Sequence, residues 1–235
     1  MSRLLRVDLH SHTHHSPDAY TSPAELVERA AEVGLDRVAV TDHGEIEGAL
    51  EARSLDPTRI IVGEEIRCRC GTEFIGLFLR ERVPPGLEAR DVAERVDDQG
   101  GVLYAPHPYA YARRALSRAA TALELAEAVE VFNARAFLPL WNRRAGRTAR
   151  ALGLPQCAGS DAHFPRELGR AYSVMPEFAS AEGFREAATA SQPVLERVTG
   201  PWMHLASAGL KFARVCGERV PHPSPRHALE VAEKV

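Results

Sequence analysis

The chain has 235 residues, 45% of them apolar, enough to bury a core of its own and in keeping with a single domain of α/β type. Its formal net charge of −3 excludes a protein that coats nucleic acid or membrane surfaces through bulk charge, and leaves room only for a local basic groove. No signal-like apolar run follows Met1 and no stretch of about 18 apolar residues occurs, so a soluble, cytoplasmic protein without a membrane partner is expected.

In chain order, "LLRVDLH" reads as a strand and "SPAELVERAAEVG" as a helix. Ser22 is the N-cap of that helix, Pro23 its first residue, Glu25 the third, and Gly34 its stop. "DRVAVTDHG" is a strand, "EIEGALEAR" a helix and "RIIVGEEIRC" a strand. Later strands are "EFIGLFL", "GVLYAPHP", "AVEVFN", "PQCAGSDAH" and "RAYSVM", with helices near 88–98, 139–152 and 180–190. This βαβ rhythm predicts parallel strands, right-handed crossovers and an irregular (β/α) barrel of about eight strands and five or six helices. Too few residues separate Glu65 from Glu73 for a helical crossover, so a hairpin turning near Cys70 and Gly71 is expected. A register symmetric about residue 69 would set the two carboxylates side by side. Cys68 and Cys70 sit too close in one strand to pair, and Cys157 and Cys216 stand alone, which argues against a disulfide framework or a zinc knuckle.

Beyond Gly200, "PWMHLASAGLKFARV" predicts an amphipathic helix, and "ERVPHPSPRH" a proline-broken loop before a short final helix. Residues 1–199 are read as the barrel, and residues 200–235 as an extension that packs on it or makes an oligomer contact.

Every strand ends in an acidic or metal-binding residue: His10 and His12, Asp42 and His43, Glu65, Glu73, His107, Glu130 or Asn133, and Asp161 with His163. In barrels of this kind the strand C-termini converge, so these residues meet. Residues two apart in a strand share a face, which lets His10 and His12 close on one ion at about 2 Å, and Asp161 and His163 repeat the spacing. Singly, each has a plain structural explanation: a cap, a turn residue, an ion pair with arginine. Together they do not, because so many buried carboxylates and imidazoles at one end of a core need cations to compensate them.

"DLHSHTHHSPDAYTSP", "AVTDHGEIEG", "VGEEI", "APHP", "VEVFN" and "AGSDAH" resemble, in order and spacing, the motifs of the polymerase and histidinol phosphatase (PHP) superfamily over residues 6 to about 175. The resemblance implies a distorted TIM-like (β/α)7 barrel, two to three divalent metal ions (zinc, manganese or iron) and phosphoester hydrolysis through metal-activated hydroxide. By motif, His10, His12, Glu65 and Asp161 would hold the first metal. Glu65 would bridge to a second, completed by His107 and Glu73, and Asp18, His43 and His163 would hold a third. Many relatives carry histidine where Glu73 stands; a carboxylate is harder and tilts the site toward manganese or iron. No inserted cap domain separates Glu73 from His107, so an open pocket is expected.

Arg135 is the first candidate to meet transition-state charge and substrate phosphate, with Asn133, Arg113 and Arg114 beside it. His163 or Asp42 is the candidate proton relay. His14 and His15 are read as rim residues, and His204, His222 and His227 carry no motif. An amidohydrolase with a carboxylated lysine is disfavoured, since the lysines are Lys211 and Lys234. The expected substrate is a small phosphorylated molecule or nucleotide rather than long nucleic acid. The rival readings are an exonuclease on short oligonucleotides and a non-catalytic metal-binding module.

Overall fold

The computed structural model describes residues 3–110 and 115–217; Arg113, Arg114, His222, His227, Lys234 and the expected final helix lie outside the described residues. Its scaffold is one nine-stranded sheet that rolls into a nearly closed barrel. Three parallel strands start it: β1 (Leu4–Ser11), β2 (Arg37–Val40) and β3 (Ile60–Arg67). The reversed strand β4 (Glu73–Leu77) follows, and β5 (Val102–Ala105), β6 (Ala128–Asn133) and β7 (Gln156–Gly159) run parallel again. The hairpin expected between β3 and β4 is present and turns where Gly71 donates to the Cys68 carbonyl at 2.8 Å. Its register differs from the symmetric one: Glu65 lies opposite Ile75 and Glu73 opposite Arg67. The ladder is centred one residue later, so the two carboxylates share a face but sit diagonally, not side by side.

Closure comes from chain beyond β7. Asp161 N–H donates to the His10 carbonyl at 2.7 Å and His12 N–H to the Ala162 carbonyl at 2.8 Å. These bonds occupy the second half of β1. The first half, Leu4 to Val7, pairs instead with the antiparallel strand β8 (Ala171–Pro176), to which the edge strand β9 (Gln192–Leu195) is added. Inside the barrel, Leu5, Val7, Ala39, Ile61, Ile75, Val102, Tyr104, Ala128 and Cys157 form one apolar cluster drawn from all seven barrel strands. The opposite strand faces, with Val38, Val40, Ile60 and Val62, pack against helices through Leu26, Ala30, Ala49 and Val92. Double-sided burial of this kind requires the near-continuous apolar runs seen in the sequence.

The helices are α1 (Pro23–Glu32), α2 (Glu47–Leu55), α3 (Ala89–Asp97), α4 (Ala115–Leu125), α5 (Pro139–Leu152), α6 (Ala181–Thr189) and α7 (Pro201–Val215). At the start of α1, Ser22 Oγ accepts from Glu25 N–H at 3.2 Å and a Glu25 carboxylate oxygen accepts from Ser22 N–H at 2.9 Å. This reciprocal cap stabilises the helix start by about 1 kcal/mol. Gly34 follows at φ +70°, the left-handed stop its position implied. Two elements have no counterpart in the sequence reading. Helix α4 has an Ala- and Leu-rich helical composition without a capping signature, and β9 is four residues long with Pro193 inside it, permitted only at an edge. The described cysteines are all free. Among the described residues no helix is long and apolar enough to cross a membrane.

Candidate metal centre

The C-terminal ends of the barrel strands surround a cavity of about 360 Å³, with Asp18, His43, Glu65, Glu73, His107, Asp161 and His163 in its lining. His10 and His12 lie beneath it, fully buried or nearly so. The β1–β2 ladder shifts register between Asp8 and Ser11, the stretch that carries His10. His10 can reach this position because Gly159 lies behind it. A Cβ there would stand 2.5 Å from the His10 Cβ and 2.6 Å from Glu130 Oε1. Asp161 and His107 hold φ angles of +54° and +25°, left-handed conformations that cost a non-glycine residue about 1 kcal/mol or more.

The donor atoms are closely spaced. His10 Nε2 lies 3.1 Å from His12 Nε2, 3.5 Å from Glu65 Oε2 and 3.6 Å from Asp161 Oδ1, and His12 Nε2 lies 3.5 and 3.3 Å from the same two oxygens. Ligands about 2.0–2.1 Å from a tetrahedral ion stand about 3.3–3.4 Å apart, so this spacing suits one ion. Glu65 spans the site: its Oε2 is 2.8 Å from His43 Nδ1, while its Oε1 is 3.2 Å from His107 Nε2. Asp18 Oδ1 stands 3.5 Å from His43 Nε2 and 3.6 Å from His163 Nε2. Three tight donor groups result: His10, Glu65 and His107; His10, His12 and Asp161; and His12, His43 and His163. Glu73 joins none of them. It lines the cavity wall and leans toward Arg67 at 3.8 Å.

Outer partners fix three of the imidazoles. His10 Nδ1 is 3.1 Å from Glu130 Oε1, His12 Nδ1 is 3.3 Å from Ser16 Oγ, and His163 Nδ1 is 2.8 Å from the Asp161 carbonyl. Ser16 Oγ donates its own proton to Asp42 at 2.6 Å, so it accepts from His12. In the neutral form of each ring these partners place the N–H on Nδ1 and leave the Nε2 lone pair facing inward, as metal ligands require.

The electrostatics demand cations. Asp18 Oδ1 is buried without a hydrogen-bond partner, and buried Glu65 Oε2 has His43 Nδ1 beside it at 2.8 Å. Burial alone would lower the His10, His43 and His107 imidazoles. Asp161, Glu130 and Glu65 instead hold His10 well above the ordinary range, and Glu65 brings His43 and His107 to about 9. Conversely, the imidazoles overcome burial and hold Glu65 and Asp161 well below the usual carboxylate range. His163 stays well below its ordinary value, through burial first and then His12 and Arg135. Protons on imidazole thus do part of what divalent cations would do, and the donor set of nitrogens and carboxylate oxygens fits such cations.

Several expected roles do not match the geometry. Asp42 faces away from the cavity into the β1–α1 loop, accepting from Thr13 N–H at 2.7 Å, Thr13 Oγ1 at 2.6 Å and Ser16 Oγ; it holds that loop and is not placed to relay a proton. Asn133 is fully buried and outside the cavity lining, and its amide donates to Glu130 and Asp161, so it braces those two carboxylates instead of meeting substrate. Arg135 does line the cavity, but its guanidinium donates to Glu167 at 3.2 Å and to Ser207 Oγ at 2.9 Å. His14 and His15 stack on each other half-buried and outside the cavity lining, as rim residues do.

Other residues of the site were not singled out in the sequence. Asp8, whose carboxyl burial raises to about 6, accepts from Ser160 and Gly169 N–H and ties β1 to the closing segment. Helix α7 crosses the mouth and brings His204, Ser207, Ala208 and Lys211 into the lining; Lys211 Nζ is 3.2 Å from Asp18 Oδ2. The available signal was the spacing of 204, 207, 208 and 211, one face of a helix.

Comparison with known proteins places this geometry. The model of the PHP domain matches residues 8–120, and that of the PHP-associated region residues 139–193. An uncharacterised protein of Methanocaldococcus jannaschii is 37% identical over 143 residues, 55% of this chain and 82% of that protein. Among solved structures, a two-domain protein of Bacteroides vulgatus containing a predicted PHP-like metal-dependent phosphoesterase superimposes with a TM-score of 0.69 at 20% identity, over 83% of this chain. The chain spans 65% of that protein's length. A lesion-specific endonuclease of Pyrococcus furiosus superimposes with a TM-score of 0.59 at 16% identity, over 81% of this chain and 58% of the endonuclease. The barrel with one reversed strand and the imidazole–carboxylate cluster at its strand ends are accordingly those of a PHP domain, and the chain belongs to the PHP family.

Proposed function

We propose that the chain is a metal-dependent phosphoesterase hydrolysing small phosphate esters, nucleotides included. The observation that carries the proposal is the set of three imidazoles whose Nδ1 partners turn Nε2 toward the buried carboxylate oxygens of Glu65, Asp161 and Asp18. In this reading His10, His12, Glu65 and Asp161 hold one ion, Glu65 and His107 a second, and Asp18, His43 and His163 a third. Glu73 lines the cavity outside these donor groups, and a hard carboxylate there would favour manganese or iron over zinc only if it turned from Arg67 to join the second. When bound, divalent cations supply a water nucleophile at neutral pH and neutralise charge on the phosphoryl oxygens.

The chain's own residues then divide the remaining work. Glu65 presents one oxygen to each side of the cluster and fixes the spacing of its neighbours. Glu130 and Ser16 hold His10 and His12 by their outer nitrogens, so neither ring rotates as charge changes at the centre. The cavity volume lies within the range of small-molecule pockets, about 300–1,000 Å³.

The test is hydrolysis of p-nitrophenyl phosphate by protein stripped of metal and reconstituted with Mn²⁺, Fe²⁺ or Zn²⁺, alongside phosphorylated metabolites and short single-stranded oligonucleotides. Metal-dependent turnover is expected, abolished in His10→Ala and Asp161→Ala with the far-ultraviolet dichroism retained. Turnover that survives either substitution refutes the proposal. Cleavage of the oligonucleotides with no monoester turned over would replace the phosphatase reading by the exonuclease one.

A further inference from the structure

Helix α7 lies across the mouth of the metal cluster and is anchored by contacts that have no role in ligation. Arg214 Nη1 donates to the carbonyls of Ser16 at 2.6 Å and His14 at 3.3 Å, in the loop that carries Asp18. Ser207 accepts from Arg135 at 2.9 Å, and just before the helix Thr199 N–H donates to the Ala134 carbonyl at 2.7 Å. The helix is thereby held with one polar face over the cavity.

Among the described residues that line the cavity, the permanent cations are Arg135 and Lys211. Arg135 is 4% exposed and committed to Glu167 and Ser207. Lys211 differs. Its side chain is 56% exposed, and its ammonium rests at 3.2 Å on the oxygen of Asp18 that does not face His43 and His163. An ammonium on a flexible stem, held in the lining of this cavity, meets the outer oxygens of a bound phosphoryl group without displacing a ligand. A terminal monoester carries about −1.5 to −2 charge at neutral pH, whereas a diester carries about −1, so this cation favours the monoester.

We infer that Lys211, delivered by helix α7, is a substrate-binding residue that selects dianionic phosphate monoesters over diesters. The inference rests on the phosphoesterase reading of the cluster.

The test compares wild type, Lys211→Met and Lys211→Arg, each loaded with the same metal, on p-nitrophenyl phosphate and bis(p-nitrophenyl) phosphate. With Lys211→Met, kcat/KM on the monoester is expected to fall about 10- to 100-fold, chiefly through KM, with the diester changed less than about 3-fold. Lys211→Arg recovers most of the loss, and metal content by mass spectrometry is the same in all three. Equal losses on both esters, or loss of metal in Lys211→Met, overturn the inference, since Lys211 would then serve the fold or Asp18. If the wild type hydrolyses neither ester with any metal, the phosphoesterase reading falls. Calorimetric titration of the metal-loaded proteins with inorganic phosphate then decides for Lys211: affinity lowered about 10-fold in Lys211→Met supports phosphate binding, and equal affinity refutes it.

Discussion

Gly159→Ala tests whether the closeness of β1 and β7 is what sets the metal cluster. The added methyl would stand 2.5 Å from the His10 Cβ, 2.6 Å from Glu130 Oε1 and 3.0 Å from the His10 backbone nitrogen. Ordinary contact begins near 3.4 Å, so the neighbours must yield by close to an ångström. Neither yields freely. The His10 carbonyl is tied to Asp161 N–H at 2.7 Å, and Glu130 Oε1 is the partner of His10 Nδ1 at 3.1 Å. Overpacking of this size costs about 1–3 kcal/mol, or about 2–12 °C in Tm for a chain of this length. The larger effect falls on the site, because metal sites tolerate displacements of only about 0.2 Å and loss of an outer partner lowers affinity about 10- to 100-fold. The expected result is a folded protein with Tm lowered in that range and metal affinity, measured by chelator competition, reduced at least about 10-fold. Gly209→Ala is the control. Nothing lies within 4 Å of its Cβ and it sits inside α7, so it should gain about 0.5–1 kcal/mol with metal affinity unchanged. Equal metal affinity in Gly159→Ala and wild type would refute the reasoning.

Two further substitutions separate support from chemistry. Arg135→Met leaves Glu167, fully buried, without its cation, and should cost about 3–5 kcal/mol by chemical denaturation and speed proteolysis near α7; Arg135→Met with Glu167→Gln should recover part of it. A lowered kcat with unchanged stability would instead restore Arg135 to a direct role in turnover. Asp42→Asn weakens the charge-assisted bonds from Thr13 and Ser16, at about 1.5–3 kcal/mol of stability, and should slow hydrolysis of aryl phosphates by the same factor whatever the leaving group. A loss that grows with leaving-group pKa would identify Asp42 as the proton relay after all.

The barrel was legible because its signals are local. Ser22, Pro23, Glu25 and Gly34 state the limits of α1 in consecutive residues, and buried parallel strands announce themselves as apolar runs between helical patterns. The register of the β3–β4 hairpin was not legible. A shift of one residue in its centre changes no residue type in either strand, only which residue of one faces which of the other, and the turn at Cys68–Thr72 decides that. The same distinction applies to the polar residues. Asp42 and Asn133 end strands beside true cavity residues, and nothing in their spacing distinguishes a side chain that faces the cavity from one that braces a loop beneath it. Their hydrogen-bond partners decide the matter: Thr13 and Ser16 donate to Asp42 from the loop after β1, and the Asn133 amide donates to Glu130 on its own strand and to Asp161 beyond β7.

Helix α7 was legible as a helix but not as a wall of the site, since its address is written in Arg135, Ser16 and Asp18, far away in sequence. The position of the cluster in the fold explains why such distant parts meet there. β1 is shared, with β8 along Leu4 to Val7 and the segment after β7 along His10 to His12, so the residues whose backbones close the barrel also carry the imidazoles. Closure of the barrel and assembly of the imidazole–carboxylate cluster are thus one structural event. Carboxylates of Glu65, Asp161 and Asp18, left without cations, repel one another across the seam, while a cation among them draws the same strands together. The strained backbone of Asp161, at φ +54° between two closing hydrogen bonds, is stable only while that seam stays shut. Metal binding and barrel closure should therefore stabilise each other, and α7, resting on Asp18 and on the loop behind it, bears on the cluster from the cavity side.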